Sequence, residues 1–505
     1  MHRPRCGTEN PDDAQKCRSC NCTLANPENG RPKPKAKTSK SIVGAVLLAS
    51  LSLILSIFVK PTLAFLAAAF GLVIIVISII QTVKRKKKLT ARRIALGSFI
   101  LLEMILLTYW RIDAAPIPND YTIKDIRSAA QQYNHTYSLL KSLADKDENL
   151  PDAPAIGLSE DDVKNLDNIS KIFKENNPET IPRQLFENED IILLTWQHAK
   201  KGRDIFNQFD KYPEIADLSE PDFWDMSFPI KNFRRLVFLH RAYICLQSCK
   251  GNHKDAVDEL IRMDSIIKKM NLNVRDMIIK LVCIACLRIN IETANFIINN
   301  PQTPHESVSL LEKHFTPISD EHSSLRNQLI FQYLTFRNIL IKFNREPRFR
   351  YSYFPPMKFN STLRLYRNFC DRWISITENK TPIKELRVWP TLYVNFPVKM
   401  GLQNKLPLCY KIYNPFGSCY AHILTLNIEK IVEINTRLQI QSDLLQIVIK
   451  KRLGKDVDLK ARAYSDQYII DIENKIIFSP GPDSEAGTKD DIKLPINPEV
   501  LGLEK

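Results

Sequence analysis

Three apolar runs in the stretch from Ile42 to Trp110 constrain what this chain can fold into more than any other feature. Ile42 to Val59, Thr62 to Val83 and Ile94 to Trp110 are 18, 22 and 17 residues long. At ~1.5 Å of rise per residue, each approaches the ~30 Å hydrocarbon core of a bilayer, so three membrane-spanning helices are predicted. Only Lys60-Pro61 separates the first two runs, whereas Lys84 to Arg93 carries seven positive charges in ten residues, and Arg31 to Lys40 adds five. Both basic segments belong on the cytoplasmic side, which puts the N-terminus inside and the C-terminal bulk outside. The first run follows about forty polar residues and lacks a small-residue cleavage site, so the spans are expected to remain in the mature protein rather than leave as a signal peptide. The competing reading, core helices of a soluble protein, fits poorly with runs this long and this free of charge.

The charge balance supports this division. Residues 1–112 hold 18 Lys/Arg against 5 Asp/Glu, which leaves 53 against 51 for residues 113–505, so the net +15 is mostly a topology signal. A nucleic-acid binder would cluster its basic residues on the folded domain, and here that domain is nearly neutral; no nucleic-acid partner is expected.

The first residues run Arg3-Pro4-Arg5-Cys6-Gly7-Thr8-Glu9-Asn10-Pro11 and then, after Ala14, Cys17-Arg18-Ser19-Cys20-Asn21-Cys22. This resembles the bacterial zinc-ribbon family, in which two Cys-x-x-Cys knuckles about ten residues apart hold one tetrahedral Zn²⁺. The spacing matters because each knuckle aims two thiolates at the metal, and so short a segment has no core of its own. Arg3 stands where the first cysteine belongs. The implied zinc ligands are therefore Cys6, Cys17 and Cys20, with Cys22 or His2 as the fourth; the alternative is a degenerate, metal-free tail. The ribbon covers residues 1–25 and a basic Pro/Lys linker covers 26–41.

The spans, residues 42–110, carry a second resemblance. Ile80-Gln81-Thr82-Val83-Lys84-Arg85 and Arg92-Arg93-Ile94-Ala95-Leu96-Gly97 are similar to a bacterial membrane domain of unknown function that often follows a zinc ribbon. That family pairs its spans around a short basic loop, and no activity is implied by it; a bacterial plasma (inner) membrane location is expected for the spans. Glu103 lies within the third run, where it is read as a neutral carboxyl near a hydroxyl such as Thr108, or else as a polar contact between spans.

A helical domain is predicted over 119–345, opening with a helix from Thr122 to Leu143 on the spacing of Ile126, Tyr133, Tyr137, Leu140 and Leu143, followed by a loop from Pro151 to Gly157. Ser159-Glu160-Asp161-Asp162 is read as a capping box rather than a carboxylate site. Arg235 to Lys250 and His253 to Met270 predict two helices about Gly251-Asn252, with Tyr243, Gly251, Ala256 and Leu260 spaced as in tetratricopeptide-type hairpins. No 34-residue recurrence follows, so an irregular bundle or short stack is expected. The segment resembles uncharacterised envelope proteins of planctomycete-type bacteria. An aromatic and Pro-rich region spans 346–424. The remainder, 425–505, reads as a long helix from Leu424 to Leu453, with Ile428, Ile431, Ile434, Leu438, Leu445, Val448 and Ile449 as its apolar stripe. Two strands follow, Gln467 to Ile472 and Lys475 to Phe478, joined by a turn at Glu473-Asn474. The fold class is thus mostly α, with a small C-terminal β-hairpin.

Ser479 to Ile492 resembles a Gly-Pro-Asp…Gly-Thr-x-Asp-Asp-Ile loop that follows a hairpin in many bacterial surface proteins. Asp483, Glu485, Asp490 and Asp491 offer the hard oxygens calcium needs, while the alternative is an acidic turn held by Asp side chains bonding backbone amides. No nucleophile elbow, P-loop, two-His zinc helix or dinucleotide fingerprint is present in the sequence. His305-Glu306 and His314 are spaced wrongly for one helical metal site, and His240 and His253 are expected in or beside the helical core. In an oxidising compartment, Cys245/Cys249 and Cys283/Cys286 could bridge between facing helices and Cys409 with Cys419 could close a hairpin, leaving Cys370 over; otherwise they are buried apolar residues. The leading expectation is a multi-pass envelope protein whose outer helical domain binds a protein partner; a membrane-bound hydrolase with a cleft in the 351–416 region is the alternative.

Overall fold

A computed structural model describes residues 113–143, 156–173, 179–222, 230–345, 358–378 and 428–503, together with Lys16 and short strands at 146–147, 150–154, 394–395 and 403–404. The chain divides into two compact units, Met1–Ile112 and Asp113–Lys505. The zinc-ligand candidates Cys6, Cys17, Cys20, Cys22 and His2, and the three predicted spans, lie outside the described residues.

The second unit is mostly helical, with a small antiparallel sheet at its C-terminal end. Its elements run α1 (His135–Ser142), β1 (Lys146–Asp147), β2 (Leu150–Pro154), α2 (Glu160–Ile172), α3 (Ile181–Glu187), α4 (Glu189–His198), α5 (Lys200–Gln208) and α6 (Ile230–Cys249). Next come α7 (His253–Asn273), α8 (Met277–Asn299), α9 (His305–His314), α10 (Asp320–Ser323), α11 (Arg326–Arg345) and α12 (Phe359–Glu378). The chain continues through β3 (Val394–Asn395), β4 (Gln403–Asn404), α13 (Ile428–Arg452), β5 (Ile469–Asp471), β6 (Ile476–Ser479) and β7 (Ile492–Pro495).

Two hydrophobic clusters hold these helices. In the larger, α6, α7, α8 and α13 pack on one another, with Phe233, Leu260, Cys283, Ile298 and Leu444 all fully buried. The smaller joins α11 and α12 to the start of α13 through Leu329, Tyr333, Phe336, Tyr366 and Ile431. The turn between α6 and α7 forms where the sequence predicts it. Gly251 takes φ +84°, a left-handed conformation only glycine adopts cheaply, and this lets the Asn252 amide reach back to the Gln247 carbonyl at 2.9 Å. α8 is the one helix among the described residues long and apolar enough to cross a membrane, with a mean hydropathy of 1.7. Two-thirds of its most apolar window is buried inside the domain, which is how a central core helix looks.

Several local expectations change. The helix predicted from Thr122 to Leu143 is two 3-10 turns, Ile123–Asp125 and Gln131–Tyr133, and only then α1. The break has a cause in its amides: Arg127 N donates to Asn327 Oδ1 at 3.0 Å and Ala130 N to Glu214 Oε2 at 2.9 Å, so side chains from elsewhere take donors that a helix would have used. Ile126 then packs in the smaller cluster, whereas Leu140 and Leu143 pack in the larger. Part of the loop predicted from Pro151 is β2, paired antiparallel with β1. The aromatic region contains a 20-residue helix, α12, whose Tyr366 is buried between α11 and its own neighbours. The C-terminal hairpin gains a third strand in the order β5-β6-β7, with Ile477 opposite Leu494. Of the two expectations for the cysteines, Cys245, Cys249, Cys283, Cys286 and Cys370 follow the second: they are free thiols, and four of the five are buried in core space. Cys409 and Cys419 lie outside the described residues.

Candidate functional site: a buried acid–base cluster beneath a strap

A grouping of buried and half-buried ionisable side chains is built on α7. Asp264 and Lys268, four residues apart, share one face of this helix, and Lys268 Nζ stands 2.8 Å from Asp264 Oδ2. Across from them, the last residue of α9 presents His314, whose Nε2 lies 2.9 Å from the same oxygen. From α8, Asn290 Nδ2 donates to Asp264 Oδ1 at 3.0 Å. The Asp264 side chain is only 2% exposed, and those of Lys268 and His314 about a fifth. Burial alone would push this carboxyl up; the Lys268 charge and the His314 bond outweigh it and hold it down at about 2.

One turn away sits a second buried cation. Lys280 belongs to the most apolar helix of the domain, is 1% exposed, and donates from Nζ to the carbonyls of Asn271 (2.9 Å) and His322 (2.8 Å). Asn271 closes the C-terminal end of α7, where the helix dipole and unpaired carbonyls favour a positive charge. Burial still holds the Lys280 ammonium down to about 8. His322 lies on α10 with Nδ1 2.7 Å from Ser319 Oγ, and burial, then the Lys268 and Lys280 charges, push its imidazole down to about 4.

Residues 315–325, which link α9 to α11 and include α10, pass over this cluster. Between them and α7 lies a recess of about 10 Å³, room for about one water, bordered by Asp264, Lys268, Phe315, Thr316, Ile318 and Ser442. Chemically, this is a carboxylate with both oxygens engaged. Ser442, one of two hydroxyl residues bordering the recess, donates to the carbonyl of the other, Thr316, at 3.4 Å.

A second grouping fixes the beginning of the domain. Asp113 caps the N-terminus of α12, accepting from the amides of Asn360 (2.7 Å) and Ser361 (3.0 Å). Asp120 then receives Tyr333 Oη at 2.7 Å, Arg337 at 3.0 Å and Arg367 at 3.1 Å. Next along the chain, Tyr121 donates to Asp371 at 2.5 Å and stacks beneath the Arg367 guanidinium, 3.3 Å from its ring centre.

The remaining sequence candidates take the following places. Ser159 and Asp162 form the predicted capping box, and the buried Asp162 carboxylate also meets His198 Nδ1 at 3.0 Å. Gly157 is required there: it has φ +81°, and a Cβ on it would sit 2.6 Å from the His198 carbonyl oxygen. His240, 1% exposed, has Nδ1 2.9 Å from Glu259 Oε1, close enough for an ion pair though not aligned as a hydrogen bond. His253 is likewise buried, and His305 is exposed at the start of α9.

In the acidic loop, Asp483 accepts from the Glu485 amide (2.9 Å), Asp490 from the Asp483 amide (3.2 Å) and Thr488 Oγ1 (2.6 Å), and Asp491 from the Gly487 amide (3.0 Å) and Lys493. The Thr488 bond and those of the Asp483 backbone hold the Asp490 carboxyl down at about 2. The carboxylates of Asp483, Asp490 and Asp491 thus each accept from donors within or beside the loop. Among the described residues, no three His, Cys, Asp or Glu side chains stand together as metal ligands.

Sequence reasoning passed over Asp264, Lys268, Lys280 and His322. The usable signal was Lys280, a lone charge inside Met-Ile-Ile-Lys-Leu-Val-Cys-Ile-Ala-Cys-Leu. Compared with known protein families, with curated proteins and with solved structures, the chain finds no match in any of the three.

Proposed function

We propose that this chain is a multi-pass protein of a bacterial plasma membrane, N-terminus inside, whose extracytoplasmic helical domain is a stiff scaffold for a protein partner. The observation that carries the reading is the fixing of residues 113–121. Only Arg111 and Ile112 separate the third apolar run from Asp113, and from there the chain is tied to α11 and α12 by a helix cap, two arginines and two tyrosines.

A surface for the partner is available on α3 and α4, where Phe186, Ile191 and Leu194 remain 46%, 38% and 51% exposed. The N-terminal ribbon, with zinc held by Cys6, Cys17, Cys20 and either Cys22 or His2, would be a second contact point on the cytoplasmic side. The test is site-specific photocrosslinking in native membranes, with a photoreactive side chain at position 186 or 194 of the full-length chain. A discrete protein adduct is expected at these positions and not at an exposed polar control such as Lys164, which is 70% exposed. Uniformly absent adducts would contradict the scaffold reading.

A further inference from the structure

We propose that residues 315–325 are an acid-sensitive strap over the charged recess, released when the His322 ring takes up a proton beside Lys280 and Lys268. The strap is attached to three different helices, chiefly by its own carbonyls. From α7, Asn271 Nδ2 donates to the His322 carbonyl at 2.8 Å and Lys268 Nζ to the His314 carbonyl, next to the strap, at 3.4 Å. From α8, Lys280 Nζ reaches the His322 carbonyl. From α13, Asn435 Nδ2 donates to the Ser323 carbonyl at 2.5 Å and Ser442 Oγ to that of Thr316. The strap's own Phe315, Ile318 and Leu325 are buried, and its Glu321 pairs with Arg127 of the N-terminal segment.

The charges around the imidazole decide the direction. It faces Lys268 and Asp264 from α7, Lys280 from α8 and Arg127 from the N-terminal segment, while α13 contributes the neutral amide of Asn435; on its own element stand Asp320 and Glu321. Asp264, the one carboxylate among the groups facing it from α7, α8 and the N-terminal segment, is already engaged by Lys268 and His314. Lys268 and Arg127 are neutralised by Asp264 and Glu321, which leaves Lys280, held by two carbonyls and no carboxylate, as the uncompensated charge; its Nζ is 2.8 Å from the carbonyl of His322 itself, so a proton on the ring adds a second cation there, in a site where burial also disfavours charge. With the strap lifted, the ring would titrate near its ordinary 6.5, so the open form binds more protons and gains weight as pH falls from about 6.5 towards 4. Opening uncovers Asp264, Lys268 and the recess.

Hydrogen exchange on the full-length chain in lipid nanodiscs tests this, read as protection factors so that the pH dependence of intrinsic exchange cancels. Between pH 7 and pH 4, protection at 315–325 should fall on the order of 100-fold, while amides in the middle of α7 and α8 lose far less. His322→Gln, which cannot take a proton, should flatten the dependence; if it does not fold, His322→Asn carries the same test. Unchanged strap protection in the wild type, a loss spread evenly over the domain, or an equal loss in a folded variant would each overturn the proposal.

Discussion

Asp264→Ala should lower the stability of the domain by about 3–5 kcal/mol, the cost of stranding a buried cation without its partner. Three groups lose their acceptor at once: Lys268, His314 and the amide of Asn290. Their surroundings are apolar, with Leu287, Ile291 and Phe315 bordering the same recess. Chemical denaturation of the full-length chain in detergent at pH 7 measures the loss. The double variant Asp264→Ala/Lys268→Met should recover part of it, because it removes the stranded charge along with its partner. A loss below about 1 kcal/mol would mean that these groups reach water. The same carboxylate predicts an acid limit. Its folded pKa lies below the ordinary 3.8, so its contribution is complete above that value and disappears as pH falls towards 2.

The opposite pH limit rests on the buried thiols and should be equally large. Burial pushes the thiols of Cys245 and Cys286 up to about 12 and those of Cys283 and Cys370 higher still. All four ionise near 9 once unfolded, so above pH 9 the unfolded chain releases protons that the folded one keeps. Each thiol then costs ~1.4 kcal/mol per pH unit. Lys280 works in the other direction: its ammonium is held down to about 8, so relief of its buried charge adds stability between about 8 and 10.5. Cys249, pushed up to about 11 by burial, adds to the four; one amine offsets only part of these thiols, and a net loss of about 3–5 kcal/mol is expected between pH 8 and pH 10. Equilibrium unfolding at the two pH values tests this. Replacing Cys245 and Cys286 with alanine should flatten the slope even as it lowers stability through the cavities left. A slope unchanged by that double substitution would show that other groups control the alkaline limit.

What could be read in the sequence was local. The α6–α7 turn required only Gly251 and two periodic flanks, and the capping box only Ser159 and Asp162. The α13 stripe was half visible: Ile428, Ile431, Leu438, Leu445, Val448 and Ile449 are buried as their spacing predicts, but so are Ile440, Leu444 and Ile447 on other faces, because this helix is wrapped by α8, α9 and the sheet. β7 was missed because its four residues follow directly on the acidic loop; the alternation of Ile492, Leu494 and Ile496 was its only mark. The charged site was not readable, because its partners are far apart in sequence. Asp264 and His314 are 50 residues apart and Asp120 and Tyr333 213 apart, and only packing brings them together. The cysteine pairs stayed open between a bridge and buried thiols for the same reason: shared helical faces say nothing about whether two faces meet at bonding distance.

The most direct test of a membrane-anchored outer scaffold is the side of the membrane on which the described domain begins. With reporters that are active on one side only, a fusion after Pro118 should read extracytoplasmic and a fusion at Lys87, inside the basic loop, cytoplasmic. A cytoplasmic signal from the fusion after Pro118 would contradict both the orientation and the proposed outer scaffold.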